Sequence, residues 1–168
     1  MLRRLYLFIL ICTCTLAGRT QAPDSSAQAY PSATGQTPPD STEVIQAIDT
    51  FINAFSNLKW EKFADCWADE ATAFFPPSAR FPYRADNKQE VLAIFRHVFD
   101  NAQKQKSTPP YIVIQPLNRK IQMAGTTAIV TFTLNDPNLF GRRTLVLKKE
   151  GDKWLIIHLH ASGVTMEK

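Results

Sequence analysis

The chain has 168 residues, 45% hydrophobic and 20% charged, the composition of a soluble globular protein with one ordinary domain and some additional sequence. Its formal net charge is only +4. So small an excess gives no reason to expect a nucleic acid or a membrane surface as partner.

The chain opens with Arg3 and Arg4, an unbroken apolar run from Leu5 to Ile11, and small residues through Ala17 and Gly18. This is the layout of a secretory signal, expected over residues 1–22, and the run is too short to span a bilayer. Thr20-Gln21-Ala22 has the spacing of a cleavage site but precedes Pro23, so Thr15-Leu16-Ala17 and Ser25-Ser26-Ala27 stay open and the boundary lies between residues 17 and 27. Cys14, after Ile11-Cys12-Thr13, offers a lipid anchor as an alternative. The expected location is therefore periplasmic or secreted, with a membrane contact only if Cys14 is lipidated. Loss of the leader through Ala27 removes Arg3, Arg4, Arg19 and Asp24, lowering the net charge by two. It also removes Cys12 and Cys14, leaving Cys66 alone and no intrachain disulfide.

Residues 23–39 are mostly Pro, Ser, Thr, Gln, Ala and Gly and read as a disordered linker, because they lack the apolar surface that would offset ordering entropy. The folded domain is expected over residues 40–164. Asp40 is placed to cap a first helix, with Glu43 reaching back. Val44, Ile45, Ile48, Phe51, Ile52, Phe55 and Leu58 then recur at helical spacing until Asn57-Leu58-Lys59 breaks the pattern. Trp60, Phe63, Ala64 and Trp67 predict a short second helix, and Ala71 to Phe75 a short strand ended by Pro76-Pro77. Asn87 with Glu90 caps a third helix whose inner side carries Val91, Leu92, Ile94, Phe95, Val98, Phe99 and Ala102. Beyond it the period changes to two. Strands are predicted over Tyr111 to Met123, with a bulge or an edge at Pro116, over Thr127 to Asn135, and over Arg142 to Glu150 and Lys153 to Ser162, the last two joined by a Gly151-Asp152 turn.

Three early helices and four long late strands give an α+β domain in which helices cover one face of a curved, mainly antiparallel sheet. A sheet that wraps helices without closing on them leaves a cone-like cavity.

The order of these elements, with the segments "ATAFFP", "RADNKQEVLAIFRHVF" and "GRRTLVLKKEGDKWLIIHLHAS", resembles the SnoaL-like proteins of the nuclear transport factor 2 superfamily. The likeness is nearest to the branch containing the association domain of calcium/calmodulin-dependent kinase II, and it covers Asp40 to Ser162. It implies a cone-shaped α+β barrel, commonly a homodimer through the convex sheet face, with a pocket at the open end. The superfamily includes ketosteroid isomerase, polyketide cyclases and dehydratases, and also binding and assembly modules without catalysis, so the likeness leaves activity open. Asn87 stands where relatives often have Gly, and Asn tolerates the left-handed conformation such a position implies.

Strict alternation along the last strand would put Trp154, Ile156, His158, His160 and Ser162 on the inward face, and Leu155, Ile157, Leu159 and Ala161 on an outward face suited to a dimer. His158 and His160 are then candidates for a ligand-facing role, and for general acid/base work if the protein is an enzyme. Burial with ordinary hydrogen-bonded neighbours is the alternative for both. Arg143, on the preceding strand, should face in beside Leu145 and Leu147, and Tyr83 and Arg84 precede the third helix. An inward arginine beside two histidines suits a carboxylate or other anion, whereas arginines at element ends are as often solvated or paired with Asp86 or Glu90. Trp67 is the aromatic expected at the cavity mouth. Two histidines without a placed third ligand predict no metal, and no cofactor is implied. Asp65 and Asp69 read as solvated helix-end acids, and the chain has no phosphate-binding glycine loop, nucleophile elbow or HExxH motif.

The expectation is thus an exported domain that binds a small, partly apolar, anionic molecule among Trp67, Tyr83, Arg84, Arg143, His158 and His160. An isomerase, cyclase or dehydratase using a pocket histidine, and a dimeric assembly module, are the alternatives.

Overall fold

A computed structural model describes residues 39–76, 84–136 and 139–165. The expected signal and almost all of the expected linker, together with Tyr83, lie outside the described residues. The elements run α1 (Pro39–Ser56), α2 (Trp60–Ala64), β1 (Trp67–Phe74), β2 (Arg84–Ala85), α3 (Lys88–Gln105), β3 (Leu117–Ala124), β4 (Thr127–Asp136), β5 (Leu139–Glu150) and β6 (Lys153–Thr165).

Helix α1 begins at Pro39, whose missing N–H costs nothing in a first turn. Asp40 is therefore inside the helix rather than capping it. Glu43 does not reach back; its carboxylate accepts from Lys149 Nζ at 2.7 Å and Trp154 Nε1 at 3.0 Å, tying α1 to the β5–β6 hairpin. At the other end Leu58 takes φ 53°, and Leu58 and Lys59 donate to the carbonyls of Phe55 and Ala54, which closes the helix with a left-handed residue. The α3 cap forms as expected: Glu90 N donates to Asn87 Oδ1 at 3.0 Å and Asn87 Nδ2 donates to Glu90 Oε1 at 2.9 Å. Asn87 itself is extended, φ −156° and ψ 166°, not left-handed, because an N-cap residue needs a β-region backbone to aim its side chain at the helix N–H groups.

The strands form one open, curved six-stranded sheet in the order β2-β1-β6-β5-β4-β3, antiparallel throughout except for the parallel β1–β6 pair. Trp67 opens β1 rather than ending α2. Residues 111–116, expected as strand, are irregular. The N–H groups of Tyr111 and Ile112 both donate to the Ser56 carbonyl, and pairing with β4 starts only past Pro116, at Leu117. A register shift follows between Leu117 and Lys120, where Asn118 has φ 54°.

The core lies between the helices and one face of the sheet. Val44, Ile48 and Phe51 of α1, Phe63 of α2, and Val91 and Phe95 of α3 pack against Val130, Leu145, Leu147, Ile156 and Leu159. Aromatic rings hold it together: Phe63 meets Phe51, Phe95, Phe99 and Trp67 at centroid distances from 4.9 to 5.9 Å, Phe95 and Trp67 edge to face.

One irregularity decides what each face of β6 carries. Leu147 pairs with Ile156, but the next residue back on β5, Val146, pairs with His158, so Ile157 is an extra residue with no partner. A bulge of this kind slips the two-residue count by one, and every side chain beyond it changes face. Trp154 and Ile156 point into the core, and after the bulge Leu159 and Ala161 do so, at 4% and 8% exposure. The expected inward set of His158, His160 and Ser162 is therefore corrected: both histidines lie on the outer face.

Candidate functional site

The inner face and the helices line a partly open cavity of about 170 Å³. Phe51 and Phe55 of α1 and Phe95 of α3 line one side, while Phe132, Leu145, Leu159 and Ala161 line the sheet side. Arg143 is the one titratable side chain among the described residues that line it. Ladder register puts Phe132, Arg143 and Ala161 in a single cross-strand row, with Val130, Leu145 and Leu159 in the next. The expectation that Arg143 faces in is met.

Several local features hold the guanidinium there. Arg143 Nη1 donates to the carbonyls of Arg142, at 2.8 Å, and Ser162, at 3.0 Å. Gly141, two residues earlier on the same face, is buried, and a Cβ there would sit 3.3 Å from Arg143 Nη1 and 3.4 Å from Leu134 Cβ. The bare Cα of Gly141 thus makes room for the guanidinium to lie back along β5. Among the described residues Arg143 forms no ion pair, and burial pushes its pKa down. Arginine nonetheless stays protonated, so the cavity wall carries a fixed positive charge with hydrogen-bond donors to spare.

The outer face carries a different group. Thr72 pairs with His158 and Phe74 with His160 across the parallel ladder, and Arg84 pairs with Phe74. Thr72 Oγ1 and His158 Nδ1 share a hydrogen bond of 2.8 Å, and the Phe74 ring meets both imidazoles edge to face at 5.6 and 6.0 Å. Burial, then the charges of His160 and Arg84, lower the His158 pKa. Arg84 is bonded to Asp86, the paired alternative of its sequence reading. The structure therefore brings together His158, His160 and Arg84, but on the side of the sheet opposite Arg143.

Trp67 does not line the apolar cavity. It is 1% exposed, packed between Phe51, Phe63 and Phe95, with its Nε1–H unpartnered among the described residues. Asp65 and Asp69 are exposed, and Asp69 faces Lys88 at 3.6 Å. Burial, then Asp65, push the Cys66 thiol up to about 11, which keeps it protonated and unreactive at neutral pH. Among the described residues no three His, Cys, Asp or Glu side chains gather to hold a metal, and no helix is long and apolar enough to cross a membrane.

The profile of the SnoaL-like domain matches residues 44–167, which takes in every strand and nearly all of the helical layer. This chain belongs to the SnoaL-like domain family. No curated protein matches its sequence. Solved structures share the fold of this SnoaL-like domain at low identity. An NTF2-like protein of unknown function from Pseudomonas putida superposes with a TM-score of 0.62 at 19% identity, over 76% of this chain and 89% of that one. A candidate dehydratase of the NTF2-like family from Streptomyces avermitilis gives 0.62 at 22% identity, over 74% and 96%. A candidate ketosteroid isomerase from Parabacteroides distasonis gives 0.54 at 17% identity, over 79% and 92%. Identities this low establish the cone of the SnoaL-like domain and leave its chemistry to the residues described above. Of these, the sequence reading passed over Gly141 and the phenylalanine lining. A glycine directly before a predicted strand, two residues ahead of an inward arginine, was the available signal for the first. The phenylalanines were indistinguishable from ordinary core.

Proposed function

We propose that this SnoaL-like domain binds a small, largely apolar molecule carrying an anionic group, with Arg143 as the anion-binding residue. The observation that carries the reading is a guanidinium in the wall of a phenylalanine-rich cavity, without an acidic partner among the described residues. A desolvated, uncompensated cation is costly, and an incoming anion offsets that cost while forming charge-assisted hydrogen bonds. The layout of residues 1–22 favours a place outside the cytoplasm for this binding.

Two similar folds belong to a candidate dehydratase and a candidate ketosteroid isomerase, chemistry that needs a proton carrier at the substrate. His158 and His160 are poorly placed for that role, since the sheet lies between them and the cavity. Binding is accordingly the preferred reading. A second reading concerns assembly: a homodimer through the outer sheet face, favoured by Phe74 and Ile129 at 42% and 37% exposure on a face that none of the described helices covers.

The binding reading is tested with hexanoate as probe. Ligand at a hundred times its Kd should raise stability by about 2.7 kcal/mol, read as a rise in Tm. Arg143→Met should weaken hexanoate binding at least about tenfold. A Tm response that is absent in the unaltered chain with every carboxylate tried, or identical in the variant, would remove the reading.

A further inference from the structure

We infer that the ligand is a monocarboxylic acid built on a single aromatic ring, an arylalkanoate with its ring among the phenylalanines and its carboxylate on Arg143. The inference rests on the binding reading above and narrows it by size, charge and shape.

Size comes first. At about 170 Å³ the cavity is little larger than the engineered apolar cavities of roughly 150 Å³ that hold one benzene molecule. It is well below the 300 Å³ or so at which pockets for drug-sized ligands begin. One ring and a short chain fill it, whereas fused rings would have to reach out through its open side into water or displace core side chains packed at native density.

Charge sets the number of anionic groups. Only one cation lines the cavity among the described residues, so a second negative charge on the ligand would be desolvated without compensation. Arg143 Nη1 is already engaged by the Arg142 and Ser162 carbonyls, while Nε and Nη2 have no partner among the described residues. Two donors on a planar group match the two oxygens of a carboxylate. A phosphate dianion fits neither the count nor the apolar surroundings.

Shape favours an aromatic body over an alkyl one. Phe95, on the lining, already takes Phe55 and Phe75 edge to face, at 5.5 Å and 84° and at 5.6 Å and 69°. Phe51 and Phe132 complete a lining of five rings. Ring edges and faces presented this way reward another ring beyond its area alone. Ala161, next to Arg143 across the ladder, is small enough to leave the carboxylate room.

The test is calorimetric titration of the full chain with 3-phenylpropanoate, its alcohol 3-phenylpropan-1-ol, hexanoate, 2-naphthylacetate and phenyl phosphate. Phenylpropanoate should bind most tightly, on the order of tenfold or more ahead of its alcohol, and Arg143→Met should erase that difference. The comparison of acid with alcohol uses the unaltered chain and stands even if the variant fails to fold. Hexanoate binding as tightly as phenylpropanoate, or naphthylacetate or phenyl phosphate binding more tightly, overturns this inference and leaves the binding reading standing. Failure of every anion to bind ahead of the alcohol overturns both.

Discussion

Arg143 of β5 and His158 of β6 lie on opposite faces of one sheet, and burial lowers the pKa of each with different consequences. Arginine starts so high that it keeps its proton, so burial leaves a charge that attracts an anion. Histidine starts at 6.5, so the same effect turns His158 neutral in the range where it would otherwise charge. Neutral His158 can accept from or donate to the Thr72 hydroxyl at Nδ1, according to its tautomer; protonated, it must donate there with His160 and Arg84 close by. As pH falls below 6.5 the unfolded chain takes up a proton that folded His158 resists, so stability should drop through that window. His158→Gln, followed by thermal unfolding against pH, should flatten the slope just below 6.5. A separate loss below 4.5 should persist, because bonds from Lys149 and Trp154 to Glu43, and from its own main chain and Lys148 to Glu70, hold those carboxyls low. An unchanged slope near 6 in the variant would mean another group is titrating.

At the scale of elements, the unpaired residue Ile157 governs which chemistry faces which way. With Ile157 paired to Val146 instead, strict alternation would turn His158 and His160 into the core and Leu159 and Ala161 out. Loss of Leu159 burial costs about 2 kcal/mol, and each imidazole buried without a partner about 1–3 more. The slipped register is therefore disfavoured by at least about 4 kcal/mol. Deletion of Ile157, by contrast, leaves Val146 opposite His158 with every later side chain on its present face and should cost well under that, read from urea midpoints at constant slope. A deletion variant destabilised by about 4 kcal/mol or more would show that the faces beyond Ile157 are not set by this pairing. Helices, the α3 cap and the Gly151 hairpin were legible in the sequence because each rests on local spacing or on one residue's backbone preference. The bulge was not. Leu155, Ile157, Leu159 and Ala161 are apolar on both sides of it, so hydrophobicity carries no mark of the slip, and only pairing with β1 and β5 shows which set is buried. The inward direction of Arg143 could be read because β5 keeps its alternation from Gly141 to Leu147.

For the whole domain, the sheet separates two surfaces of different character. The helical side holds the cavity and Arg143; the outer side presents Phe74 and Ile129 amid Thr72, Thr131, Thr144, Val146 and the two histidines. If the outer side joins two copies, the contact is isologous, and one substitution enters it twice. The bulge also moves the expected interface: Leu159 is core while Leu155 and Ile157 are half-buried, so among the described residues the exposed large apolar side chains available to it include Phe74, Ile129 and Val164. Ile129→Asp would then place two carboxylates in a desolvated contact, and dimers should give way to monomers in sedimentation at the same protein concentration. Ile129 lies on the face turned away from the cavity, beside the inward Ala128 and Val130, so the monomeric variant should still respond to hexanoate through Arg143. A variant that stays dimeric moves the interface off this face. A monomer that has lost its hexanoate response means that the cavity depends on the second copy, and the separation of the two surfaces by the sheet would have to be given up.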